Sequence, residues 1–317
     1  MSCSQSIRTC SRALLFGFLL VVSAIVAIPA RAITATPMTG RGVYFYQLSG
    51  NPNGSIAIVG NTAAENQMVS NLKAWGINTV YGSYDSIISS NAAAVRSWNS
   101  LLASNGIASY VLLSSTTDFL SSYWSGADTW LWNDFLTFNE NATGNQKFVG
   151  VMLDVEPEAF AGDANNLSWN ATTNAGRRTY LGDLLTFVQA IRTLMNNESE
   201  SGAPLATTLA TWFPNLNQTV GWANQADVDS WFSSLGSEVN HVSLMDYGTD
   251  NVSLIESRYQ ANNALLPAGE TTIALSSAIG AEWSSFSQMW SAMLTVESAE
   301  SLYCDINSYD TLATDEE

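Results

Sequence analysis

Three carboxylates fall within five residues at the end of one apolar run, VGVMLDVEPE at 149–158. In an extended chain, side chains two apart share a face, so Asp154 and Glu156 point together, above Met152 and Gly150. Val149, Val151, Leu153 and Val155 face the other way, and a strand apolar on both sides is a parallel strand covered on both faces. Two neighbouring carboxyls cannot both ionise freely, so one is held in its acid form while the other keeps its charge. Such a pair can give a proton to a leaving oxygen and steady the charge left behind. Glu158 lies past Pro157, outside this alternation, and is expected in solvent.

A buried parallel strand needs neighbours. Apolar runs of strand length recur at 42–48, 77–84, 108–115, 148–156, 205–213, 239–247, 271–279 and 302–308. Helical spacing fills the gaps between them. Met68, Leu72 and Trp75 mark one helix over 62–75, closed by Gly76; Leu181, Leu184, Leu185, Val188, Ile191 and Leu194 line another over 179–196. Eight strands alternating with helices predict an α/β chain folded as a (β/α)8 TIM barrel. Only the nine residues 309–317 follow the eighth strand, so the last helix is expected to be missing or vestigial. A doubly wound open sheet is the structural alternative, but GNPNGS after the first strand lacks a phosphate-binding glycine fingerprint.

In such a barrel the C-terminal ends of the strands form the chemical face. Reading those ends gives Tyr44 and Tyr46 from the first strand, Tyr81 and Tyr84 from the second, and Trp212 from the fifth. The sixth strand adds Met245, Asp246 and Tyr247, Glu282 and Trp283 follow the seventh, and Asp305 and Asn307 end the eighth. Glu156, Asp154 and Tyr247 are the candidate catalytic groups. Tyr44, Tyr46, Trp212, Met245, Asp246, Glu282, Trp283 and Asp305 are the candidate substrate contacts. Carboxylates without histidine or thiolate partners suit glycosidic cleavage, and flat aromatic rings stack on sugar faces.

The pair Asp154-x-Glu156, with Met245-x-Tyr247 two strands later, resembles the chitinase-like glycoside hydrolases of family 18. That resemblance implies a barrel whose fourth strand ends in D-x-E. It implies Glu156 as the general acid and Asp154 as the group that orients an acetamido substituent. Tyr247 would hydrogen-bond the same substituent, and Met245 would line the floor. The family's two earlier aspartates correspond here to Val149 and Met152, and Gly248 replaces the aspartate after M-x-Y. Two other readings stand beside it. Glu156-Pro157 and Glu282 resemble the acid and nucleophile of retaining two-glutamate barrels, which hold their carboxyls about 5 Å apart. A carbohydrate-binding barrel without turnover is the third.

Composition narrows the classes further. The 317-residue chain is 46% hydrophobic and carries one histidine, His241: the count excludes histidine-rich zinc sites, and its position excludes a Ser-His-Asp triad on the chemical face. His241 opens the sixth strand, away from the chemical face, and reads as structural. No metal or cofactor is expected. Arg8 and Arg12, the apolar stretch 13–28 and Ala30-Arg31-Ala32 read as a secretory signal over 1–32, leaving 33–317 as one secreted barrel domain. Without Arg8, Arg12 and Arg31, 8 basic residues face 28 acidic ones, a net charge of −20. Such a surface repels phosphate backbones and anionic membranes, so nucleic-acid and lipid partners are excluded. Cys304 is then the one remaining cysteine, and the core alone must hold the fold. Sequons at Asn53, Asn141, Asn166, Asn170, Asn197, Asn217 and Asn251 fit a secreted glycoprotein.

Overall fold

The structure is a computed structural model, and it describes residues 40–198, 200–216, 220–266 and 271–316. The signal expected over 1–32 and the sequon at Asn217 lie outside the described residues. Eight parallel strands close into a barrel in chain order: β1 Arg41–Phe45, β2 Ile77–Gly82, β3 Ala108–Ser115, β4 Gly150–Val155, β5 Leu205–Ala210, β6 His241–Met245, β7 Thr271–Ser276 and β8 Cys304–Asn307. All eight expected strands are present. The fourth begins one residue after Val149, which is exposed rather than turned into the outer core.

Between the strands run α1 Ser55–Ile58, α2 Thr62–Ala74, α3 Asp85–Ser104, α4 Trp124–Trp130, α5 Phe138–Glu140, α6 Asn174–Asn197, α7 Gln225–Gly236, α8 Val252–Asn263, α9 Phe286–Glu300 and α10 Tyr309–Glu316. Five helices begin on a capping side chain as the chain leaves the barrel's upper rim. Asn61, Thr173, Asn224, Asn251 and Ser285 each accept a backbone N–H of the first turn. Each cap satisfies a donor that the helix itself cannot, so the loops that carry the site end at fixed points. Between α4 and α5 the chain winds as a π-helical stretch, Leu131–Thr137.

The last helix is not missing. α10 has eight residues, and it is held by Tyr309 and Leu312, both buried. The Tyr309 ring packs edge-on to Phe45 at 5.8 Å, which ties the C-terminal end to β1. Two large anchors do the work of a longer helix here.

The core divides in two. Outward-facing residues such as Val43, Phe45, Val151, Leu153 and Val155 join helix residues Leu181, Leu184, Val188 and Ile191 in the outer layer. Leu185 and Leu194, expected on the same helix face, pack at its half-buried margin. Inside the barrel Tyr44, Tyr81, Leu112, Met152, Ala206 and Ala274 form a separate plug. That plug fills the barrel and leaves chemistry to the layer above it.

Arg192 sets the start of two strands. It is 5% exposed and donates to the Glu238 carbonyl at 2.7 Å, the Ala203 carbonyl at 3.2 Å and Asn240 Oδ1 at 2.6 Å. Asn240 Oδ1 in turn accepts the Leu205 N–H at 3.0 Å, so one guanidinium aligns β5 with β6. Arg192→Leu strips three carbonyl acceptors of their donor, and urea unfolding is expected to show a loss of about 3 kcal/mol.

Candidate functional site

Register decides what meets Asp154. Ser114 on β3 lies opposite Asp154 on β4, and Thr208 stands on the inner face of β5 two residues beyond the partner of Met152. Ser114 Oγ donates to Asp154 Oδ2 at 3.1 Å and Thr208 Oγ1 to Oδ1 at 3.0 Å. From β1, Tyr46 Oη donates to Oδ2 at 3.2 Å. The carboxylate is 2% exposed and takes three hydroxyl donors from three strands. Burial raises the Asp154 pKa, and the hydroxyls of Thr208, Ser114 and Tyr46 pull it back down. Hydroxyl donors favour the charged form, so Asp154 is the anion of the pair.

Glu156 follows at the strand tip, half-buried, with its backbone N–H on the Ser115 carbonyl at 3.0 Å. Its carboxyl is pushed up to about 7, first by burial and then by the neighbouring Asp154 charge. An acid that keeps its proton to neutral pH beside a clamped anion is the division of labour expected for proton donation.

A second layer of hydroxyls covers the pair. Asn307, the last residue of β8, donates through Nδ2 to Tyr247 Oη at 2.9 Å and to Tyr46 Oη at 3.2 Å. Tyr46 therefore accepts from Asn307 while donating to Asp154. Tyr247 accepts from the same amide, a bond that does not use its own proton. Burial, helped by the charges on Asp154 and Glu156, lifts both phenols well above their usual pKa, so both stay protonated donors. Ser114 is solvent-exposed although it points into the barrel, so the space above Asp154 is open. A groove of about 290 Å³ between α2 and α10, lined by Ile58, Gln67, Asn71 and Tyr309, lies outside the barrel and holds none of these acids.

The other expected contacts separate by position. Met245 faces inward, buried at the end of β6. Tyr44 is buried in the plug, stacked on Tyr46 at 6.1 Å, and its hydroxyl has no partner among the described residues. It lies beneath the mouth rather than in it. Asp305 is deeper still, 0% exposed, taking Thr272 Oγ1 at 2.5 Å, Ser243 Oγ at 2.6 Å and Tyr81 Oη at 3.4 Å. His241 joins this lower cluster through Thr272 at 3.0 Å. Asp305 therefore fills the barrel interior instead of meeting a ligand at the rim.

Asp246 turns outward, 1% exposed, with Arg258 Nη1 of α8 at 2.5 Å. Glu282 sits beside it. Burial raises the Glu282 pKa, the Gly248 N–H lowers it, and the charge that acts on it is Asp246. Glu156, by contrast, answers to Asp154. Trp283 is 1% exposed and donates through Nε1 to the Ser276 carbonyl at 2.8 Å, so its ring belongs to the outer core and offers no stacking face. Trp212 is half-buried against Trp169 at 5.9 Å and Phe213 at 4.9 Å. Among the described residues no three His, Cys, Asp or Glu side chains are grouped to hold a metal ion.

Glu158 is not in solvent. Pro157 starts a single 3-10 turn, Pro157–Ala159, that folds the chain back, and Glu158 Oε2 is buried without a partner. Burial is the main cause that lifts its pKa to about 8, with the charges of Glu156 and Asp154 adding to it. Ser114, Thr208 and Asn307 are the groups that sequence reasoning left without a role. Serine and threonine on a strand carry no signal of their own until register is known.

No family model and no curated protein matches the chain. Among solved structures it is similar to the endo-1,4-beta-mannanase of Eisenia fetida, with a TM-score of 0.51 at 16% identity over 86% of this chain and 88% of that one. The endo-1,4-beta-mannanase of Rhizomucor miehei gives 0.52 at 12% identity over 84% and 85%. The D-psicose 3-epimerase of Clostridium cellulolyticum H10 gives 0.48 at 8% identity over 85% and 84%. At these identities the likeness is one of fold.

The acids also set a pH dependence. Glu156 near 7, Glu158 near 8 and Asp134 near 7 all stand above the carboxylate range of about 4 that holds in an unfolded chain. Between those limits the folded state binds more protons than the unfolded one, so stability is highest in acid and falls as pH rises from about 4 to about 8. Thermal melts followed by circular dichroism are expected to show a lower Tm at pH 8 than at pH 5. Glu158→Gln should narrow that gap by about 4 °C or more.

Proposed function

We propose that this chain is a secreted glycoside hydrolase that cleaves N-acetylated sugars with help from the substrate's own acetamido group. The observation that carries the reading is the buried Asp154 anion, clamped by Ser114, Thr208 and Tyr46, directly before a Glu156 whose carboxyl holds its proton up to about 7. Glu156 gives that proton to the glycosidic oxygen as the bond to the anomeric carbon breaks. The acetamido carbonyl oxygen attacks the same carbon from the opposite face and forms a cyclic oxazolinium ion. Asp154 accepts the acetamido N–H and stabilises the positive charge, while the proton of Tyr247 holds the acetamido oxygen in line. Water then attacks the anomeric carbon, gives its proton back to Glu156, and leaves the product with retained configuration.

Nothing in the site favours the two-glutamate alternative. The charge that acts on Glu282 is that of Asp246, a like charge that points away from the barrel axis toward Arg258.

Glu156→Gln is expected to lower kcat on an N-acetylated oligomer by about 10²–10⁴-fold with binding retained, measured by reducing-end release and calorimetry. Glu282→Ala should change kcat less than about threefold; a loss as large as that of Glu156→Gln would restore the two-glutamate mechanism. Wild-type protein that binds N-acetylated oligomers but releases no reducing ends would leave a binding barrel.

With Glu156 as the acid, kcat falls as pH rises through about 7. Asp154→Asn removes the charge that helps hold the proton on Glu156. The alkaline limb of the residual activity should then move toward acid by about one pH unit.

A further inference from the structure

Each hydroxyl that meets Asp154 spends its proton there. Ser114, Thr208 and Tyr46 have one hydroxyl proton apiece, and all three go to the carboxylate. Tyr46 Oη can therefore only accept from Asn307, so the amide atom that faces it at 3.2 Å is the nitrogen. The other hydrogen of that nitrogen goes to Tyr247 Oη at 2.9 Å. Proton counting thus orients the Asn307 amide, with both donors committed to the two phenols and Oδ1 turned to neither.

That oxygen is open. It has no hydrogen-bond partner among the described residues, and it is not among the polar atoms closed off from water. Cys304 and Ile306 pack in the outer core, so Asp305 and Asn307 face the barrel axis. Asp305 is sealed, whereas Asn307, two residues on at the strand's end, is half-buried. Water that reaches an inward residue at the C-terminal end of a barrel strand stands in the mouth. In the closed ring β8 lies four strands from β4, so this oxygen borders the mouth on the side across from Glu156. Its register partner on β7, Ser276, has its Oγ on the Ala278 N–H at 3.2 Å, within its own loop.

A lone acceptor on a fixed amide selects a donor. Tyr247, which shares the amide, is assigned to the acetamido oxygen, so Oδ1 opens on the same sugar ring. The acetamido N–H belongs to Asp154. What that ring has left to donate is its hydroxyl protons.

We propose that Asn307 is a specificity-determining residue whose Oδ1 accepts a hydroxyl proton from the N-acetylated ring whose bond is cut. This rests on the hydrolase reading of Glu156 and Asp154. The substrate class it selects is an N-acetylated sugar with that hydroxyl free. A ring deoxygenated, etherified or esterified there covers the amide oxygen and gives it no donor, and a site built to bind a hydroxyl rejects the analogue that lacks it.

The test uses para-nitrophenyl glycosides of an N-acetylglucosamine trimer, because release of nitrophenolate identifies the ring that is cut. That ring is intact, or lacks the hydroxyl on carbon three, or lacks the one on carbon six. With wild-type protein at least one of the two deoxy substrates is expected to lose about tenfold or more in kcat/KM. Asn307→Ala has no acceptor to leave unmet, so its ratio of intact to deoxy rates should fall below about threefold. Asn307→Asp keeps an acceptor at the position and should keep the discrimination, even where its absolute rate falls. Wild-type losses below about threefold for both deoxy substrates overturn the inference while leaving the hydrolase intact. So does a penalty as large in Asn307→Ala as in wild type, or one abolished in Asn307→Asp. No nitrophenolate from the intact trimer overturns the hydrolase reading and this inference with it.

Discussion

A carboxylate buried in the mouth of a barrel must be given hydrogen bonds or it will not stay charged. Asp154 receives three, and each comes from a different strand. Ser114 and Thr208 reach it because β3 and β5 hold their register against β4, and Tyr46 reaches it across the mouth from just past the end of β1. Every other property of the mouth follows from that anion. It adds to burial in keeping the proton on Glu156, and it accepts from Tyr46, whose hydroxyl shares the Asn307 amide with Tyr247. The hydroxyls act in turn as the reason the anion can exist there. A slip of register in any one strand would break the clamp and expose or neutralise the acid.

The plug beneath has a complementary role. Tyr44, Tyr81, Leu112 and Met152 fill the barrel and support the layer that carries the acids. Asp305, tied to Thr272, Ser243 and Tyr81, and the nearby His241 form a second polar level sealed under that plug. The barrel thus carries one acid level that is open and one that is closed. Polar groups in the closed level are matched to each other, and in the open level the hydroxyls of Ser114, Thr208 and Tyr46 are spent on Asp154.

How much of this could be read from the residues depends on which period carries the information. The alternation of two placed Asp154 and Glu156 together, and the eight apolar runs sufficed for the barrel. Asp246, read as a substrate contact, turns instead to the outer face, where Arg258 holds it. What alternation cannot supply is stagger between strands. Asp305 and Asn307 share a face and a strand end in the sequence, yet one is sealed and the other bridges two phenols. Trp283 and Trp212 read alike as candidate platforms, but the backbone around Ser276 draws Trp283 into the outer core. Glu158 was expected in solvent because proline commonly ends an element; here Pro157 begins a turn that brings the chain back on itself. Nine C-terminal residues read as too few for a helix, but aromatic anchoring by Tyr309 compensates for length.

Asn307 belongs to the last strand, and β8 pairs with β1 to close the ring. Asp154 and Glu156 are made midway along the chain, while the amide that donates to both phenols arrives near its end. Without β8 the two phenols lose the one amide that donates to both of them. The complete polar layer is therefore a property of the closed barrel, reached when β8 meets β1.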